Sequence, residues 1–177
     1  MDKLTKEELR EKAKQLAGQY YRMGLNCSES IVLAIHDLNF SDLPKEVVAM
    51  ATGFGGGMGL SGNTCGCLTG LMMAVGMVHG RKDPLAVESK EERIKQLNGN
   101  PGLYRFFNQI PHRFEQEFGS TNCRELTKIF AQWNDKNRAK KCLYLIEESA
   151  KMAVDYIIQG KEEGYVQQFG RNMANKL

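Results

Sequence analysis

The sequence predicts an all-α fold: a single-domain helical bundle of about six to eight helices with a glycine-rich loop. Three observations carry this reading. Apolar residues recur at three- and four-residue spacing along most of the 177 residues. Cap and stop residues bracket those stretches. No stretch of useful length alternates apolar and polar residues as a half-buried strand would.

The elements follow in order. Thr5 to Glu8 forms a capping box, followed by Leu9, Ala13, Leu16, Tyr20 and Met23 at helical spacing, and Gly24 ends this helix. A second helix starts near Asn26 and carries Ile31, Ala34, Ile35 and Leu38 on one face. Pro44 opens a short third helix through Val47, Val48 and Met50. The stretch 53–62 then holds six of the chain's 18 glycines and reads as a loop. The next helix runs from about Cys65 to His79 and is closed by Gly80. A charged helix is expected over 84–96, before the break at Asn98-Gly-Asn-Pro-Gly102. Residues 103–118 read as a helix disturbed at Pro111, with Phe106, Phe107, Phe114 and Phe118 as core candidates. Gly119 stops it, and a short helix is expected over 122–130. The last strong helix spans about 135–158, with Ala139, Cys142, Ile146, Ala150, Ala153 and Ile157 as its stripe. We therefore expect one domain over 1–160 and a polar tail or peripheral helix over 161–177.

Charge and hydropathy exclude several classes of function. Lys plus Arg is 24 and Asp plus Glu is 21, a net charge of +3. That balance argues against electrostatic binding of nucleic acid. The longest apolar run, 68–78, contains Thr69, Gly70 and Gly76 and is too short to insert into a membrane. Residues 1–22 lack the apolar stretch of an export signal. The expected setting is the cytoplasm, where thiols stay reduced.

Five cysteines and three histidines are the unusual counts. Five thiols are too few and too odd in number for a disulfide scaffold. Cys27 follows Asn26 and Cys123 follows Asn122, each with a Glu three residues after the Asn; Thr64-Cys65 is a looser version. All three cysteines are thus expected at the first position of a helix. Free N–H groups and the helix dipole there favour a thiolate, which is both a nucleophile and a metal ligand. Cys27 lies on the stripe of Ile31, Cys123 on that of Leu126 and Phe130, and Cys142 faces inward. The competing reading is that each is a buried small hydrophobe.

The glycines also admit two readings. Gly57-Met-Gly-Leu-Ser-Gly62 matches the dinucleotide fingerprint, but neither the strand before it nor a parallel strand after it can be found. Gly62, Gly66 and Gly70 recur every four residues, as on a face where another backbone lies close. Such glycines also let a loop turn N–H groups onto sulfur. Gly55, Gly56, Gly57, Gly59, Gly66 and Gly70 are accordingly the candidate cofactor-cradling positions. Met50, Met58, Met72, Met73 and Met77 read as adaptable core. Neither C-x-x-C nor C-x-x-C-H occurs. Lys136, Arg138, Lys140 and Lys141 read as a solvated face beside Cys142, with thiolate stabilisation as the second reading.

Gly53-Phe-Gly-Gly-Gly-Met-Gly59, followed by Thr64-Cys-Gly-Cys-Leu-Thr-Gly70, resembles the core of the C_GCAxxG_C_C family, whose redox activity is inferred from its cysteines. Cys27 matches that family's first cysteine, Cys65-Gly66 with Gly70 its motif, and Cys123 and Cys142 its last two. The resemblance covers residues 10 to 158. Cys67 stands where the family has Ala, and 86–102 looks like an insertion. The chain is also similar to the non-haem part of split-Soret cytochromes, where such cysteines are associated with an iron–sulfur centre.

The resemblance implies a redox protein. Cys27, Cys65, Cys123 and Cys142 would either ligate an iron–sulfur cluster, [2Fe–2S], or cycle between dithiol and disulfide. In the second case Cys67 joins them as a resolving thiol. The implied partner is an electron donor or acceptor that the sequence does not name. A homodimer through the patch around the glycine loop is a further expectation. The alternatives are a structural Cys₄ zinc site, although the usual paired hooks are missing, and a helical interaction protein.

Overall fold

The computed structural model describes residues 4–170. Among these residues it is all-α: helices form every regular element, and one isolated bridge joins Thr64 and Asn122. Four helices make the core: α1 (Lys6–Arg22), α2 (Cys27–Asp37), α4 (Gly66–His79) and α9 (Lys136–Glu163). Between α2 and α4 come a 3₁₀ segment, Lys45–Phe54, and a single turn, α3 (Gly55–Met58). Shorter helices follow: α5 (Lys90–Asn98), α6 (Leu103–Phe107), α7 (Gln109–Phe118) and α8 (Cys123–Thr127).

Helix α9 packs along α1, α4 and α2, and α2 packs on α4. Small residues set these approaches. Ala13, Ala17, Ala150 and Ala153 are fully buried where α1 meets α9. A side chain on Gly70 would lie 2.9 Å from the Ser28 Cα, so α4 rests on the α2 backbone. Phe106, Tyr156, Tyr165 and His79 close one end of the bundle edge to face. His79 sits there as a neutral ring, with Nε2–H donated to the Ile157 carbonyl at 3.0 Å. Burial lowers its basicity, which favours the neutral ring. The ring occupies the space that a side chain on Gly160 would need. No helix among the described residues is long and apolar enough to cross a membrane.

Several boundaries differ from expectation, each for a local reason. Pro44 is the cap of the third segment, which is 3₁₀ rather than α. The charged helix begins at Lys90, because Ser89 caps it and Asp83 holds 84–86 in a turn by accepting from the Leu85 N–H. The 103–118 stretch breaks at Asn108. Pro111 lies in the first turn of α7, where its missing N–H is not needed. The 122–130 helix ends at Thr127. Helix α9 continues to Glu163, so residues 161–163 are its last turn. Residues 164–170 then cross α6, with the Tyr165 carbonyl accepting from the Gly102 N–H. The rest of the expected tail, 171–177, lies outside the described residues.

Candidate functional site

The site begins at the start of α2. Asn26 Oδ1 accepts from the N–H groups of Ser28 and Glu29 at 2.9 and 3.0 Å, and Glu29 Oε2 accepts from the Asn26 N–H at 2.9 Å. Thr52 Oγ1 donates to the other Glu29 oxygen at 2.7 Å, and Asn26 Nδ2 donates to the Thr52 carbonyl at 3.0 Å. These bonds fasten the 3₁₀ segment to the capping box and fix Cys27 at the first helical position.

The glycine stretch opposite is a left-handed turn, not an open loop. Five consecutive residues, Gly56, Gly57, Met58, Gly59 and Leu60, have φ between 64° and 75°. Bonds from the Gly62 N–H to the Gly56 carbonyl and from the Asn63 N–H to the Gly57 carbonyl close it. A left-handed run is tolerable for glycine but costs roughly 1–2 kcal/mol at each of Met58 and Leu60. The turn lets other groups approach closely. A side chain on Gly57 would lie 2.7 Å from the Cys123 Cβ, and one on Gly66 would lie 3.1 Å from the Cys27 Cβ. Helix α8 is stapled to the same connection. The Cys123 N–H donates to the Asn63 carbonyl at 2.7 Å, and the Cys65 N–H donates to the Thr121 carbonyl at 2.8 Å.

All five cysteines are therefore gathered on one region, and all five are free thiols. Cys27 keeps partial exposure, whereas Cys65, Cys67, Cys123 and Cys142 are buried. Their environments diverge. Cys67 lies beside both Cys27 and Cys65. That neighbour brings Cys27 down to about 7 against the cost of burial, with help from the Gly56 and Cys27 N–H groups and the Arg138 charge. Cys65 is also lowered, by Cys67 first and by the Cys67 and Leu68 N–H groups. Cys67, beside both of them, is pushed well above the ordinary thiol range. Burial pushes Cys123 up to about 11 and Cys142 up to about 12, and the other thiols add to this.

Two of the helix-start expectations need correction. Cys65 is the cap itself, not the first helical residue, because Thr64 is drawn into its bridge with Asn122. It makes no capping bond of ordinary length, although the amides ahead of it still favour its thiolate. Cys123 does stand first in α8, yet its thiolate is disfavoured. That helix has only five residues, the Cys123 N–H is spent on Asn63, and burial prevails.

A cavity of about 330 Å³ opens above Cys27 and reaches Cys142. Gly55, Gly56 and Gly59 line it, whereas Gly57, Gly66 and Gly70 serve close backbone and thiol packing elsewhere. Tyr21, Leu60, Trp133 and Arg138 complete its walls. Arg138 is buried, lies 3.3 Å from the centre of the Trp133 ring, and donates to the Trp133 carbonyl at 3.0 Å. The basic cluster 136–141 is therefore not uniformly solvated. Arg138 faces the thiols, while Lys136 and Lys140 are exposed. The sequence reading missed Tyr21, Leu60 and Trp133. The spacing of Arg138 four residues before Cys142 was the available signal for the guanidinium.

Four thiolates have the donor chemistry that iron–sulfur and zinc sites use. The arrangement does not match that chemistry as it stands. Among the described residues, no group of three or more His, Cys, Asp or Glu side chains is placed to hold a metal ion.

A family model described as "Putative redox-active protein (C_GCAxxG_C_C)" matches residues 25–156, a span that includes all five cysteines, the left-handed turn and Arg138. A protein of Archaeoglobus fulgidus, described as "Uncharacterized protein", is 25% identical over 147 residues, which cover 81% of this chain and 92% of that one. No solved structure matches.

Proposed function

The chain belongs to the C_GCAxxG_C_C family of redox-active proteins, and from that premise we propose that it passes two electrons by thiol–disulfide exchange, with Cys27 as the entry sulfur. One observation carries this reading. Of the five thiols only Cys27 keeps exposure, and Gly66, the residue between Cys65 and Cys67, packs against its Cβ.

The chemistry follows from that trio. The Cys27 thiolate attacks one sulfur of a disulfide RS–SR′, forming a Cys27–SR mixed disulfide and releasing R′S⁻. Cys67 gives its proton to the departing R′S⁻, which leaves as R′SH. The Cys67 sulfur then attacks Cys27, forming a Cys27–Cys67 disulfide and releasing RS⁻. Two thiols have been oxidised and one disulfide reduced, and the proton leaves with R′SH. Cys123 and Cys142, held protonated by burial, take no part in these steps and wall the trio. Because the family has Ala at the position of Cys67, the resolving role belongs to this chain's own departure from the motif.

The test uses protein purified without oxygen and treated with bis(2-hydroxyethyl) disulfide. Wild type should release two equivalents of small thiol. Cys67→Ala should release one and accumulate a mixed disulfide on Cys27, read by intact mass and peptide mapping. Cys27→Ser should release none. Equal release by all three proteins would overturn the proposal. So would about stoichiometric iron with acid-labile sulfide, or stoichiometric zinc with inert thiols, in the same preparation.

A further inference from the structure

We propose that the cavity above Cys27 selects small disulfides carrying a carboxylate, with Arg138 as the residue that recognises the carboxylate. This rests on the exchange reading and adds the substrate class to it.

Arg138 is 7% exposed, and its guanidinium donates to the Trp133 carbonyl. No carboxylate among the described residues lies within ion-pairing distance of it, and neither Asp nor Glu lines the cavity. Glu29, the acid nearest in sequence to Cys27, has both oxygens committed to the Asn26 N–H and the Thr52 hydroxyl. A guanidinium has five N–H donors in a planar fork suited to carboxylate. A buried guanidinium without an acid is costly unless an anion meets it. The Trp133 ring covers its face and leaves its edge for a ligand. Within the protein, the negative charge it can meet is a thiolate at Cys27.

Exchange changes that balance. When the Cys27 thiolate attacks RS–SR′, the Cys27–SR bond forms, the S–S bond breaks, and the negative charge leaves with R′S⁻. A carboxylate on the bound arm then replaces the lost anion beside Arg138. The cavity's 330 Å³ matches one arm of a small disulfide, with Leu60, Trp133 and Tyr21 against its apolar part.

The test measures the rate at which Cys27 is modified by 3,3′-dithiodipropionate, bis(2-hydroxyethyl) disulfide, cystamine and the disulfides of insulin. Each rate is divided by that for free 2-mercaptoethanol, which removes intrinsic reactivity. The normalised rate for the dianion should exceed that for the cystamine dication by about tenfold. Added salt should shrink the ratio in the wild type, a readout that needs no variant. Arg138→Gln should bring the ratio close to one, and Arg138→Lys should keep part of it. The ratio separates recognition from any effect on the thiolate, since that effect cancels. Equal normalised rates, a ratio that survives Arg138→Gln, or preference for insulin would overturn this inference and leave the exchange reading standing. Failure of Cys27 to react with any of the four would overturn the exchange reading, and this inference with it.

Discussion

At the residue scale, five thiols in one region have been given different chemistry by their neighbours. Cys27 and Cys65 are lowered beside Cys67, whereas burial pushes Cys123 and Cys142 up. The consequence can be measured on Cys27. Its alkylation by iodoacetamide should rise with pH about a midpoint near 7, not near the ordinary value of 9.0. Arg138→Gln should move the midpoint upward, because the guanidinium lowers Cys27. A wild-type midpoint at the free-thiol value would contradict the assignment. Stability carries the same linkage. The folded state favours the Cys27 thiolate, so this group's contribution is fully present above about 9 and is lost as pH falls through about 7. Much of this was legible in sequence: the Asn26 capping box announces a cysteine at a helix start. The division among the thiols was not, because it depends on which thiols the fold sets side by side and on which amides tertiary contacts have already used.

At the scale of elements, the left-handed turn is the device that brings the site together. The glycine count marked the segment, and the four-residue spacing of Gly66 and Gly70 foretold the close approach to α2. The hand of the turn was hidden, because it runs through Met58 and Leu60, for which positive φ is unfavourable. Tertiary closure against Asn63 and Cys123 overrides that local preference. Gly57→Ala should therefore destabilise by about 2–4 kcal/mol, combining the positive-φ cost with contacts to the Cys123 Cβ and the Asn63 backbone. Urea unfolding under reducing conditions measures it, with Gly53→Ala as the control, since a side chain on Gly53 meets nothing within 4 Å. Equal destabilisation in the two variants would show that the turn does not carry the packing assigned to it. The misplaced boundaries at Lys90, Asn108 and Glu163 have the same origin. Periodicity locates a helix, but its ends depend on caps and contacts that the surrounding fold supplies.

At the scale of the molecule, α1, α2, α4 and α9 form a core that holds one sulfur within reach of solvent and four beneath it. The all-α class was legible because the helices are long, periodic and capped. Convergence of the cysteines could be expected from their inward stripes, but the pairing could not, because Cys27 and Cys67 meet only where α2 crosses the start of α4. In the proposed exchange the order of burial sets the order of attack: a disulfide substrate meets Cys27 first, and Cys67 resolves the mixed disulfide from below. The most direct measurement is disulfide mapping by mass spectrometry on protein purified without oxygen, oxidised with one equivalent of a small disulfide and then alkylated. The expected result is one disulfide per chain, joining Cys27 to Cys67, with Cys65, Cys123 and Cys142 recovered as alkylated thiols. A bond that omits Cys27, or five thiols recovered unchanged, would contradict it.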